Sequence, residues 1–179
     1  RRVLGVIRPT AECIGQITHS RHVGILATSG TISSGSYPLE IRKIYPDIVV
    51  SGEACPMWVP LVENYEYDSP GADYFVEKRI GNLLRKDPAI DTIVLGCTHY
   101  PLLLNKILKY TPRNVRIVPQ GEYVAYSLKD YLQRHTEIET LCTQSGTCRF
   151  LTTESPDKFM ESASIFLRQH VEAERVVLE

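Results

Sequence analysis

Short apolar runs rich in β-branched residues alternate along this chain with stretches of helical period, and that alternation narrows the possible folds sharply. The runs are residues 3–7 (VLGVI), 23–27 (VGILA), 48–50 (IVV), 92–95 (TIVL) and 115–118 (VRIV). A strand that is apolar at successive positions is buried on both faces, as happens in a parallel sheet covered by helices on each side. The amphipathic stretches between the runs supply those helices. Residues 11–19 form a short one, and 34–44 place Leu39, Ile41 and Ile44 near one face. Residues 56–65 open on Pro56, where a missing amide is tolerated. Residues 72–85 carry Phe75, Val76, Ile80, Leu83 and Leu84 at helical spacing, and 102–110 carry Leu103, Ile107 and Leu108. The reading is an α/β domain, a doubly wound parallel sheet of flavodoxin or Rossmann type, over residues 1–119.

From Gln120 the character changes. A helix over 122–134 leads into a polar Thr/Ser/Cys stretch, a short strand at 149–152, a helix over 155–170 and a strand-like tail from Glu174. Two helices and two short strands cannot close a core by themselves. Residues 120–179 therefore either pack back on the first domain or form the C-terminal segment of a second, similar one. There is no internal repeat. The opening RRVLGVIRP has no initiator methionine and no signal-peptide pattern, and reads as the interior of a longer protein.

Charge excludes some functions. With 20 basic and 21 acidic residues the formal net charge is -1, so neither nucleic acid nor an anionic membrane is an expected partner. No apolar run approaches the ~18 residues of a membrane helix. Five cysteines, Cys13, Cys55, Cys97, Cys142 and Cys148, include no CxxC pair. An odd count of this kind fits reduced cytosolic thiols better than a disulfide framework, and nothing around Cys142 and Cys148 suggests a metal.

Three strand-to-helix junctions carry the chemistry. The strongest is LGCTHYP (95–101): a buried strand ends at Gly96 and Pro101 opens the next helix, which puts Cys97 at the carboxyl edge of the sheet, where open α/β folds bind ligands. Unpaired amides at that helix start favour a thiolate or a carboxylate, and an imidazolium at His99 would lower the pKa of the thiol. The plainer alternatives are a small buried hydrophobe at Cys97 and a hydrogen-bonded turn histidine. The second junction, ATSGTISSG (27–35), offers Thr28, Thr31 and amides to an anion, or simply caps a helix; it lacks a P-loop lysine. The third is GEACPMWVPLVE (52–63). There Cys55 is either reactive or core, and Glu63, on an otherwise apolar helix face, is either solvent-exposed or held for a purpose. Hydroxyls, a thiol with an acid, and a Cys-Thr-His turn thus fall on one rim of one sheet.

Together these junctions resemble the glutamate racemases of the Asp/Glu racemase superfamily. LGCTHYPLL (95–103) is similar to the family's second catalytic-cysteine motif, and ATSGTISSGSY (27–37) and ACPMWVPLVE (54–63) match two further stretches in order. GVIRP resembles the entry to the family's second domain, QGEYVAYSLKDYL (120–132) its return helix and RFLTTESPDKF its C-terminal strand and helix. The family's opening GVFDSGxGG-like strand and its first catalytic cysteine do not occur here, and Arg8 stands where relatives often carry an acid. The resemblance implies a second racemase domain over 1–119 and a return segment, 120–179, that completes an absent first domain.

The resemblance also implies cofactor-independent interconversion of L- and D-glutamate by two cysteines, without pyridoxal phosphate or metal, supplying D-glutamate for peptidoglycan in the bacterial cytoplasm. Cys97 is then the base toward L-glutamate and His99 assists its proton transfers. Thr98 and turn amides hold the carboxylate, Thr28 and Thr31 line the pocket, and Glu63 supports it electrostatically. A chain with one of the two cysteines is expected to be inactive alone, with its missing N-terminal domain as partner. An apolar face around Leu128, Leu132, Phe159, Ile165 and Phe166 is expected to drive homo-oligomerisation. The alternatives are a related aspartate or hydantoin racemase, and a non-catalytic α/β domain that binds a small acid or a protein.

Overall fold

The computed structural model describes residues 4–178. They include a four-stranded, all-parallel sheet of β1 (His22–Ala27), β2 (Val49–Ala54), β3 (Thr92–Leu95) and β4 (Arg116–Pro119), in the order β2-β1-β3-β4. Chain order reverses between β1 and β3, so the carboxyl ends of those two strands flank a topological switch point.

Alternation along the strands divides the core between the two faces. Val23, Ile25 and Ala27 of β1 point with Val94 and Val118 toward α1 (Ile7–Ile17) and, beyond α2 (Ser29–Ser34), toward α3 (Ser36–Ile44). Leu26, Ile93 and Leu95 point the other way, into α4 (Trp58–Glu63), α5 (Pro70–Lys86) and α6 (Leu104–Tyr110). Helices on both faces satisfy the doubly wound expectation. Gly24 lets α5 approach: a Cβ there would stand 2.7 Å from Leu83 Cδ2.

Local signals explain α5. Ser69 caps it by accepting from the Ala72 amide, Pro70 sits in the first turn with Asp73, and Arg85 and Lys86 occupy the last turn. A carboxylate that sequence reading missed ties it to the sheet. Glu53, buried in β2, accepts from Arg79 Nη1 at 3.0 Å, Asn82 Nδ2 at 3.0 Å and Lys86.

Three expectations need correction. The apolar run at 3–7 is no strand in its described part: Leu4–Val6 are irregular, Ile7 begins α1, and residue 3 lies outside the described residues. Thr10, Ala11 and Ile14 are buried at helical spacing, and both edges of β1 are already paired, so the sheet has no slot beside it for another strand. The helix expected over 34–44 is preceded by α2 and broken from it at Gly35, whose φ of 63° is left-handed and ends one helix as the next begins. The inward face of α3 is Tyr37, Ile41 and Ile44 at i, i+4, i+7, so Leu39 is exposed, and Leu108 of α6 likewise faces solvent.

The chain divides into two compact units, Arg1–Tyr131 and Leu132–Glu179. The first ends within α7 (Gln120–Arg134), on which Leu128 is exposed. The second holds α8 (Thr136–Glu139), absent from the sequence reading, and a parallel pair, β5 (Phe150–Thr152) and β6 (Ala173–Arg175), with α9 (Pro156–Leu167) against it. Leu141, Leu151, Phe166 and Leu167 are exposed on this unit. No helix among the described residues is long and apolar enough to cross a membrane.

Candidate active site

β3 ends at Leu95, and the chain leaves the sheet through Gly96 into a turn and a 3-10 segment, Tyr100–Leu103. Register fixes the neighbours of this exit. Leu26 pairs with Leu95, the Gly96 amide donates to the Leu26 carbonyl at 2.8 Å, and the Cys55 amide donates to the Ala27 carbonyl at 2.9 Å. The ends of β1, β2 and β3 are therefore level, and the three chemistry-bearing junctions share one rim.

On that rim Cys97, His99 and Glu63 form a line. Cys97 Sγ lies 3.8 Å from His99 Nδ1, and His99 Nε2 lies 3.2 Å from Glu63 Oε1. Glu63 arrives from α4, whose Trp58 packs edge-on against Tyr100 with ring centroids 4.7 Å apart. Both rings are fully buried, so the helix that carries Glu63 and the segment that follows His99 are locked together. The acid is exposed, and its carboxylate meets the histidine ring. With the carboxyl group on Nε2, the imidazole presents its other nitrogen, Nδ1, to the thiol.

Burial pushes the Cys97 thiol above the ordinary cysteine range. Hydrogen bonds from the His99 and Tyr100 amides pull it back without overcoming burial, and the Glu63 carboxylate adds to the rise. The sequence leads one to expect a lowered thiol; the structure gives the opposite sign, because the half-buried sulfur loses more solvation than two amides restore. A thiol raised in this way stays protonated at neutral pH and can act as a base only after giving up its proton to a neighbouring group.

Thr28 caps α2, accepting from the Thr31 amide at 3.4 Å, and the two hydroxyls lie 3.0 Å apart. They stand at the end of β1, beside the exit of β3. Thr98 is exposed in the Cys97 turn. Cys55 is 1% exposed, packed in the core and pushed far up by burial, so it is core rather than reactive. Among the described residues no group of three or more His, Cys, Asp or Glu is arranged to hold a metal ion.

A doubly wound α/β domain with a thiol–imidazole–carboxylate line at its switch point is the class that these features define. The model of the family described as Asp/Glu/Hydantoin racemase matches residues 3–122. The chain belongs to that family. It is 36% identical over 167 residues to a glutamate racemase of Thermoanaerobacter sp. (strain X514), covering 93% of this chain and 62% of the relative. It is 35% identical over 171 residues to that of Shouchella clausii, covering 96% and 60%. Among solved structures it resembles glutamate racemase isoform RacE1 from Bacillus anthracis (TM-score 0.87, 31% identity, 98% of this chain and 65% of that one). It also resembles the Thermus thermophilus glutamate racemase solved with beta-chloro-D-alanine (TM-score 0.76, 32% identity, 98% and 63%). The chain thus spans about three fifths of the length of these relatives.

Proposed function

We propose that this chain is the second half-site of a glutamate racemase. The observation that carries the reading is the Cys97–His99–Glu63 line at the switch point of the sheet, on a chain whose named relatives are glutamate racemases. Glutamate's α-proton is weakly acidic, so its removal needs a base aimed at Cα in a water-poor, preorganised site. Inverting the centre needs a second acid on the opposite face, because a single base returns the proton to the side it came from. Cys97 takes the proton from L-glutamate and donates one when L-glutamate forms. A second thiol, from the part of the enzyme outside these 179 residues, performs the complementary step. Each turnover moves one proton in and one out, with no net change and no cofactor.

Within this reading His99 relays the Cys97 proton and Glu63 holds the imidazole. Thr98 and the turn amides bind the α-carboxylate, and Thr28 and Thr31 line the same pocket. Residues 120–179 complete the other α/β domain, and the exposed Leu141, Leu151 and Phe166 of the second unit support a further segment packing there. Alone the chain is inactive. The whole enzyme works in the bacterial cytoplasm and supplies D-glutamate for peptidoglycan.

The test is α-proton exchange in heavy water with glutamate, aspartate and hydantoins offered in parallel, using this chain mixed with the N-terminal segment of a relative. Exchange confined to glutamate and dependent on mixing is expected. Exchange on aspartate or a hydantoin alone would move the chain to another branch of the family. No exchange by a well-folded mixture would leave a small-acid-binding domain.

A further inference from the structure

One carbonyl at the end of β2 anchors both of the elements that bring Glu63 to His99. The Cys55 carbonyl accepts from the Trp58 amide at 3.2 Å, at the start of α4, and from the Tyr100 hydroxyl at 3.4 Å, in the segment that follows His99. Cys55 is itself tied to the sheet, since its amide donates to the Ala27 carbonyl of β1. Tyr100 holds the turn at its backbone as well: its amide donates to the Cys97 carbonyl at 3.3 Å and closes the turn over residues 97–100. Its ring packs on Trp58, whose indole N–H donates to the Phe75 carbonyl of α5 at 3.4 Å.

Packing alone does not call for the Tyr100 hydroxyl. The ring is fully buried in the apolar cluster of Leu26, Leu95 and Leu103, where phenylalanine would fill the same space without the cost of burying a polar group. Nor does the Cys55 carbonyl need it, because the Trp58 amide already donates there. What the hydroxyl adds is a link between the exits of β2 and β3. That link matters to Glu63, which closes the six-residue helix that Trp58 opens. The Glu63 side chain is 61% exposed, so its reach to His99 depends on where α4 is seated.

We propose that Tyr100 is a positioning residue for the Cys97–His99–Glu63 line: its amide closes the turn that carries thiol and imidazole, and its hydroxyl sets that turn against α4 through the Cys55 carbonyl. This rests on the reading of Cys97 as the working thiol and His99 as its relay. A relay needs the imidazole in reach of both neighbours at once, here 3.8 Å from Sγ and 3.2 Å from the carboxylate. A displacement of about 1 Å between the turn and α4 would take the carboxylate out of hydrogen-bond range.

The test is a double-mutant cycle on urea unfolding of the chain, read by Trp58 emission near about pH 6, where a free imidazole is largely protonated. Glu63→Gln, His99→Gln and the pair are compared in the parent and again in Tyr100→Phe, which keeps the ring on Trp58 and removes only the hydroxyl. In the parent the two changes should be coupled by about threefold in the unfolding equilibrium constant, the size of an exposed ion pair. In Tyr100→Phe that coupling should fall to about 1.5-fold or less, and 4-aminophenylalanine at position 100, which keeps an N–H donor, should restore it. A residue that only stabilises the core would make every variant less stable and leave the coupling unchanged. Coupling that stays near threefold in Tyr100→Phe, or no coupling in the parent, would overturn the proposal. Should Tyr100→Phe fail to fold, Trp58→Phe, which drops the indole bond to Phe75, is read by the same coupling with circular dichroism. The cycle needs no substrate, so failure of glutamate exchange and failure of this proposal are separate outcomes.

Discussion

Replacing Glu53 by glutamine should destabilise the first unit by an amount that disappears in acid. Burial alone would raise the pKa of this carboxyl, but hydrogen bonds from Lys86, Asn82 and Arg79 outweigh it and hold the pKa below the usual value. Removing one partner of a fully buried ion pair costs about 3–5 kcal/mol. Here the cations can turn to water, since the Arg79 side chain is 25% and that of Lys86 53% exposed. The loss is therefore discounted to about 1–3 kcal/mol, a large share of a stability of about 5–15 kcal/mol. For a chain of this size that lowers Tm by about 3–10 °C. The sign with pH follows from the lowered pKa. The contribution is present above the unfolded-state value of about 4.3 and is lost as pH falls through the folded value. Parent and Glu53→Gln should differ at pH 7 and converge in acid. Trp58, the chain's single tryptophan, is buried against Tyr100 and reports urea unfolding of this unit. A difference under about 0.5 kcal/mol at pH 7, or one that persists undiminished at pH 3, would refute the reasoning.

Gly24→Val should cost about 1–3 kcal/mol by overpacking, because the new Cβ meets Leu83 at 2.7 Å and Ile93 at 3.2 Å in a core with nowhere to move; urea denaturation checks it. Alkylation of the native chain should label Cys142 and Cys148 first and Cys97 more slowly, while Cys55 reacts only on unfolding, as read by mass spectrometry of peptides. Exposed Leu128 on α7, and separately Leu141, Leu151 and Phe166 on the second unit, should make the chain self-associate; light scattering showing a strict monomer at high concentration would contradict this.

The sheet was legible because its four strands are short apolar runs between clear helix signals, a pattern that depends only on near neighbours in sequence. The run at 3–7 misled because a few consecutive apolar residues fit a buried strand and the first turn of a helix equally well, and the packing of Thr10, Ala11 and Ile14 further along decides between them. The rim was legible as three junctions, since parallel strands end level, and His99 and Glu63 were both singled out there. Their 3.2 Å contact was not legible, because it depends on how Trp58 seats α4 against Tyr100. Nor was the sign of the Cys97 shift, which is a contest between burial and local amides that spacing cannot weigh. Glu53 went unseen because its partners, Arg79, Asn82 and Lys86, lie on a distant element and carry no periodic signature that points to it.

The most direct test of the account follows the α-proton of L-glutamate in heavy water with this chain assembled with its complementary segment, before and after Cys97→Ala. The account predicts exchange in the assembled protein and its loss, by several orders of magnitude, in the variant, with the Trp58 unfolding transition unchanged. Exchange that continues at the parent rate without the Cys97 sulfur would contradict it.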